Sequence, residues 1–125
     1  MMAENGKPAD PRQELGRAGE SAAAAHLERT GYAIRDRNFR CTAGEIDLIA
    51  TKGDFLVFIE VKTRKSGSQV HPSLSVTRQK QGKVRQVGEI YRAANPQLVL
   101  QPRFDVISVE MGQAGAKVEH IENAF

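Results

Sequence analysis

Residues 44–62 read GEIDLIATKGDFLVFIEVK, and this stretch decides the fold because two apolar runs flank a short polar turn. Residues 44–50 and 55–62 are rich in Ile, Leu, Val and Phe, which is typical of strands with a buried face. Residues 51–54 carry the glycine and aspartate of a tight turn. The stretch therefore predicts a β-hairpin whose strands also contain acidic residues.

Apolar spacing predicts further elements on both sides of the hairpin. Residues 12–30 and 76–95 have helical spacing, and Ser75 or Thr77 is a candidate N-cap for the second helix. The other predicted strands are residues 32–39, residues 103–111 and a short last strand at 117–121. This order predicts an α/β fold in which helices pack on a central sheet.

The length of 125 residues suits one domain, which we expect to cover residues 15–125. Residues 1–14 are polar and contain two prolines, so they predict a flexible tail. Residues 63–75 show no periodicity and predict a mobile basic loop.

Composition argues against several classes of protein. The longest apolar run, residues 55–59, is far shorter than the ~20 residues of a membrane span or the apolar core of a signal peptide. Cys41 is the single cysteine, which excludes an intramolecular disulfide and favours a cytoplasmic protein. The net charge is only +3, but residues 61–88 hold seven Lys and Arg and no acid. Such a patch is either a footprint for polyanions or a solvated surface.

The acids of the hairpin form the candidate chemical site. A two- or four-residue turn at 51–54 predicts a register in which Asp47 faces Phe58, diagonal to Glu60, and Glu45 faces Glu60. Asp47, Glu60 and Lys62 then project from one face of the sheet. A three-residue turn would place Asp47 on the other face.

Two diagonal carboxylates are able to share one hard cation, so Mg²⁺, with Mn²⁺ as substitute, is the predicted cofactor. Lys62 would approach the same site and assist proton transfer or stabilise phosphate charge. Glu20 borders the apolar stripe of the first helix and is expected to face the sheet. The alternative is that these acids simply form cross-strand ion pairs. Zinc is disfavoured because the histidines lack close ligand partners in the sequence: His26, His71 and His120.

These motifs resemble the bacterial YraN family over nearly the whole chain from about residue 15. The similar segments are GE at 19–20, GEIDLIA at 44–50, VFIEVKTR at 57–64, VT at 76–77 with Lys80, RFDVI at 103–107 and HIENAF at 120–125. That family is regarded as a group of predicted endonucleases with a restriction endonuclease-like fold, distantly similar to Holliday junction resolvases. The resemblance implies an αβββαβ core with a mixed central sheet flanked by helices.

The resemblance also implies roles for individual residues within the wider PD-(D/E)XK superfamily. Asp47 and Glu60 match the metal-binding acids, Lys62 matches the lysine that follows them, and Glu20 matches the helix acid of the resolvase-like branch. Ile46 replaces the proline that precedes the first acid in the superfamily pattern. The implied activity is a metal-dependent endonuclease that hydrolyses phosphodiester bonds in DNA.

Basic residues near this site are candidate contacts for the DNA backbone: Arg64, Lys65, Arg78 and Lys80. The chain has no Trp and few other aromatic residues, so duplex or branched DNA is favoured over single strands. Two-fold symmetric resolvase relatives imply a homodimer. The alternatives are a non-catalytic DNA-binding or scaffold protein that retains the nuclease fold, and a basic module that binds structured RNA.

Overall fold

A computed structural model describes residues 10–67 and 76–125 of the chain. Within these ranges the chain forms two helices and one five-stranded sheet. The elements in chain order are α1 (Pro11–Arg29), β1 (Ala33–Cys41), β2 (Gly44–Lys52), β3 (Phe55–Lys65), α2 (Arg78–Ala94), β4 (Gln101–Gly112) and β5 (Gly115–Ile121). The predicted αβββαβ core is therefore confirmed, and β5 is the short last strand.

The sheet has the strand order β1-β2-β3-β4-β5 and mixes the two kinds of pairing. Strands β3 and β4 are parallel, and the other neighbouring pairs are antiparallel. A parallel pair needs a long crossover connection, and α2 lies in the segment that joins β3 to β4. This mixed sheet flanked by helices is consistent with a restriction endonuclease-like core.

Each helix covers one face of the sheet with buried side chains. Ala23, Ala24 and Leu27 of α1 are fully buried and pack in a cluster with Val57 and Ile59 of β3. On the opposite face, the α2 side chains pack in a second cluster with Phe58 of β3 and Phe104 of β4; they are Val84, Val87 and Tyr91. Strand β3 is thus buried on both faces, which explains its continuous apolar run.

The hairpin register differs from the prediction by two residues. The turn consists of Gly53 and Asp54, with Gly53 at a φ of 56°, and Lys52 pairs with Phe55. Ile49, and not Asp47, therefore lies opposite Phe58. Because side chains alternate with a period of two, a shift of two residues leaves the paired side chains of residues 48–52 and 55–59 on their predicted faces. The predicted register was wrong, and the face predicted for Asp47 stays a prediction, because the pairing ends at Leu48.

The predicted tail and the predicted loop both include residues that the structure assigns to regular elements. Helix α1 begins at Pro11, because the Asp10 side chain accepts a hydrogen bond from the Arg12 backbone N–H at 2.9 Å and Pro11 is favourable in a first turn. Residues 11–14 are therefore helical and not part of a tail. Strand β3 extends to Lys65, because β4 pairs with it along its whole length, so residues 63–65 are not loop.

Residues 1–9 of the predicted tail and 68–75 of the predicted loop lie outside the described residues. The second range includes His71 and the candidate cap Ser75. The other candidate cap is confirmed, since the Thr77 hydroxyl accepts a hydrogen bond from the Lys80 backbone N–H at 3.2 Å. No helix in the described ranges is both long and apolar enough to cross a membrane.

Gly19 lets α1 approach β3 closely. A Cβ built at Gly19 would lie 2.8 Å or less from three side-chain atoms of Thr63. A Cβ at Gly16, one turn earlier, would meet no described atom within 4 Å. The same substitution is therefore expected to have opposite effects at the two positions.

We expect Gly19→Ala to lower the free energy of unfolding by about 1–2 kcal/mol, because overpacking outweighs the gain in helix propensity. Gly16→Ala is the matched control and should raise it by about 0.5–1 kcal/mol. Urea denaturation followed by circular dichroism measures both changes. Equal stabilisation by the two substitutions would contradict the close contact between α1 and Thr63.

Candidate carboxylate and lysine site

The site begins where strands β2 and β3 separate. Their paired residues end at Leu48 and Ile59. Beyond that point an Asp47 side-chain oxygen, Oδ2, accepts a hydrogen bond from the Val61 backbone N–H at 2.8 Å. The side chain of Asp47 thus takes a donor from β3 that a backbone carbonyl would otherwise use, and Asp47 is held beside the segment that carries Glu60.

Burial and neighbouring acids disfavour the ionised form of Asp47. The pKa of Asp47 is raised to about 7, chiefly by burial and then by the negative charges of Glu60, Glu20 and Glu45, while the Val61 N–H opposes the shift. The charges of three other carboxylates therefore act on Asp47 at this end of the sheet. An additional cation there would relieve their repulsion.

Lys80 supplies one positive charge to this group of acids. Its ammonium forms an ion pair with Glu60 Oε1, and the Glu60 side chain is only 9% exposed. The pKa of Lys80 is raised, first by its hydrogen bond with Glu60 and further by the charges of Glu60, Asp47 and Glu45. In the structure Lys80 thus forms an ion pair with the Glu60 carboxylate, whereas the sequence predicted that it contacts a DNA phosphate.

Lys62 lies two residues after Glu60 on the same strand and is half-buried. Its pKa is lowered, mainly by burial and then by the positive charge of Lys80, although Glu60 opposes the shift. The Lys62 ammonium is therefore easier to deprotonate than that of an exposed lysine. A role of Lys62 in proton transfer stays a prediction.

Glu20 approaches from the other helix. It is half-buried on α1, next to Gly19 and its contact with Thr63 of β3, and its charge contributes to the raised pKa of Asp47. Within residues 10–67 and 76–125, however, no three His, Cys, Asp or Glu side chains are arranged to hold a metal ion together. Direct metal ligation by Glu20 stays a prediction.

The donor set consists of carboxylate oxygens, which suit Mg²⁺ and Mn²⁺ better than metals that prefer sulfur or imidazole ligands. Magnesium is usually held by one or two carboxylates, with water and substrate phosphates completing its shell. Asp47 and Glu60 offer two carboxylates, and the Lys80 ammonium marks a position beside Glu60 where a cation is stabilised. The residues present therefore fit Mg²⁺ or Mn²⁺ without a closed protein cage.

The other predicted phosphate contacts have different surroundings. Arg64 forms an ion pair with Glu110 of β4 at 3.3 Å, so this guanidinium has a protein partner. Lys65 at the end of β3 and Arg78 at the start of α2 are exposed. Glu45, opposite Arg40 on β1, pairs with that arginine at 2.8 Å.

A second buried acid shows a fully paired environment. Asp105 is 0% exposed and accepts hydrogen bonds from Arg103 at 2.8 and 3.0 Å and from the Asn123 backbone N–H at 2.9 Å. His120 Nε2 lies 2.7 Å from the same carboxylate, and the His26 ring packs edge-on against His120. Arg103, Asp105 and His120 thus form a structural cluster in which the buried carboxylate is paired.

By its fold, a mixed five-stranded sheet flanked by two helices, the chain is an α/β protein consistent with a restriction endonuclease-like core. The model of the uncharacterised protein family UPF0102 matches residues 19–109. A UPF0102 protein of Geobacter metallireducens is 46% identical over 113 residues, covering 90% of this chain and 93% of that protein. A UPF0102 protein of Geobacter sulfurreducens is 45% identical, covering 89% of this chain and 88% of that protein. A UPF0102 protein of Anaeromyxobacter dehalogenans is 41% identical, covering 96% of this chain and 90% of that protein. The chain therefore belongs to UPF0102, the YraN family that its motifs resemble.

The raised pKa of Asp47 predicts a pH-dependent loss of stability. Between pH ~4, the pKa of an unfolded aspartate, and about 7, the folded state holds more protons than the unfolded state, so the free energy of unfolding falls as pH rises. In EDTA, the free energy of unfolding of Asp47→Asn should equal that of the wild type near pH 4. At pH 8 it should be higher than that of the wild type by about 1–2 kcal/mol. Urea denaturation at several pH values measures this.

Glu119→Gln removes one exposed negative charge on β5 and is the control. If Glu119→Gln and Asp47→Asn gave the same pH profile, the effect would come from net charge and not from the environment of Asp47.

Proposed function

We propose that this protein is a metal-dependent nuclease that hydrolyses phosphodiester bonds in DNA. The observation that carries the proposal is the pairing of Asp47 with the β3 backbone beside Glu60, with Lys62 two residues further on. Acids that repel one another at such a fork are stabilised by a divalent cation. Perturbed pKa values in a group of this kind are typical of functional sites.

Asp47 and Glu60 would hold Mg²⁺ or Mn²⁺, and Glu20 would join them directly or through water. A bound divalent ion supplies Lewis-acid chemistry, which makes water a stronger nucleophile and neutralises phosphate charge. The hydrogen bond from Val61 fixes the orientation of the Asp47 carboxylate. Lys62 would orient the attacking water, accept or return its proton and stabilise the charge that develops on the phosphate.

Lys65 at the end of β3 and Arg78 at the start of α2 are exposed. We propose that both contact the phosphates of the DNA backbone. All seven aromatic side chains lie within the described residues, and five of them pack in or against the cluster between α2 and the sheet: Phe39, Phe58, Tyr91, Phe104 and Phe125. Few rings are left to stack on unpaired bases, so duplex or branched DNA is the proposed substrate. A homodimer acting on a symmetric junction, in the cytoplasm, completes the proposal.

The ion pair of Glu60 with Lys80 favours a second candidate function. If this pair never opened, Glu60 would not be available to a metal ion. The protein would then bind DNA, or act as a scaffold, without hydrolysing it.

The first test is a cleavage assay on labelled duplex, flap and four-way-junction DNA with Mg²⁺, Mn²⁺ or EDTA. We expect the wild type to cut in either metal and the Asp47→Ala, Glu60→Ala double variant to lose at least about 100-fold in rate, because the metal site is removed. Glu119→Gln, which removes an exposed acid on β5, should cleave like the wild type.

DNA binding without cleavage by the wild type, in any metal, would favour the binding or scaffold protein. Affinity for structured RNA that is independent of metal and unchanged in Asp47→Asn would indicate the RNA-binding alternative.

The second test concerns the basic residues. Each phosphate contact contributes roughly 0.9 to the slope of log affinity against log salt on duplex DNA. The Lys65→Ala, Arg78→Ala double variant should therefore show a slope smaller by roughly 1.8 and weaker binding to every sequence. Arg29→Ala, at the last turn of α1, is the control and should bind like the wild type. Fluorescence anisotropy at several salt concentrations measures the slopes, and equal slopes would remove both residues from the interface.

A further inference from the structure

Lys80 occupies an unfavourable place in its own helix. It is the third residue of α2, whose first turn contains no acid and is capped by Thr77. The positive end of the helix dipole disfavours a lysine at this position. Local helix energetics therefore do not account for the placement of the Lys80 ammonium, and its partner on β3 does.

That partner is Glu60, a carboxylate with little access to water. The Glu60 side chain is 9% exposed, whereas that of Lys80 is 52% exposed. A nearly buried carboxylate is costly when it lacks a cation, so Glu60 gains from any positive charge at this position. The more exposed lysine, on a flexible stem, is the member of the pair that is free to move away.

A lysine and a divalent cation compete for the same carboxylate. Mg²⁺ binds carboxylate oxygens at ~2.0–2.1 Å, so an ion on either oxygen of Glu60 lies close to an ammonium on Oε1. Two cations that close repel each other in a site of low exposure. Lys80 on Glu60 Oε1 therefore opposes the binding of a divalent ion at Glu60, and the ion gains when Lys80 leaves.

We propose that Lys80 is a resident counter-cation, which holds Glu60 until a divalent ion displaces it and then turns to a phosphate of the DNA. This role rests on the proposed nuclease function and adds a regulation to it. The free protein binds metal weakly, because each ion must displace Lys80. Bound DNA gives the displaced ammonium a new partner, so DNA and metal strengthen each other's binding by the same factor.

The test is calorimetric titration of Mn²⁺ into four proteins: wild type, Lys80→Gln, Lys83→Gln and Glu60→Gln. Lys80→Gln should bind Mn²⁺ about two- to fivefold more tightly than the wild type, because no ion pair has to be broken. Lys83→Gln removes an exposed charge on the same helix and should bind like the wild type. Glu60→Gln should lose binding.

A second titration adds an uncleavable phosphorothioate duplex. Wild-type affinity for Mn²⁺ should rise when DNA is present, and the rise should be smaller in Lys80→Gln. Thermal denaturation in EDTA checks that each variant is folded. If Lys80→Gln does not fold, reductive ¹³C-methylation of the wild-type lysines keeps their charge and allows NMR detection, and the Lys80 signal should move on addition of Ca²⁺ while the Lys83 signal stays.

Equal Mn²⁺ affinity of the wild type and Lys80→Gln, with binding lost in Glu60→Gln, would overturn the counter-cation role and leave the nuclease proposal intact. An unmoved Lys80 signal during Ca²⁺ binding would do the same. Absence of Mn²⁺ binding in every protein, with and without DNA, would overturn both.

Discussion

The hydrogen bond from the Val61 backbone N–H to the Asp47 carboxylate is the interaction on which the candidate site depends. It lies directly beyond the last backbone pair of β2 and β3, Leu48 with Ile59. An acid inside a fully paired strand would have to face a helix or a buried cluster. At this fork it satisfies a strand donor and still lies within the electrostatic range of Glu60, Glu20 and Glu45.

Asp105 and Asp47 have different electrostatic environments. Burial alone would raise the pKa of Asp105, but hydrogen bonds from His120, Arg103 and Asn123 lower it below the ordinary value. Asp47 is half-buried, and burial together with three neighbouring acids outweighs its one backbone donor, so its pKa rises. The first carboxylate is fully paired and holds the chain segment after β5 against β4. The negative charges around the second support the proposed site for an added cation.

The mixed topology of the sheet brings the positive charge to the acids. Because β3 and β4 are parallel, α2 must cross over between them, and its first turn follows β3 in the chain. That turn carries Lys80 to Glu60 and leaves Arg78 exposed. The same crossover packs Val87 and Tyr91 onto Phe58, so the helix that completes the core also supplies charge to the site.

The sequence by itself determined the order of elements and the hairpin, since these follow from local apolar spacing and from a side-chain period of two. The exact turn, Gly53 and Asp54, was not determined, because neighbouring turns share the same parity and residue types. Only the tertiary structure decided that β3 extends to Lys65, that Arg64 pairs with Glu110 and that Lys80 pairs with Glu60. Each of these contacts joins residues far apart in the chain, and charge alone does not indicate whether a lysine or arginine will meet a phosphate or a carboxylate. That choice is made when the helix and strands pack.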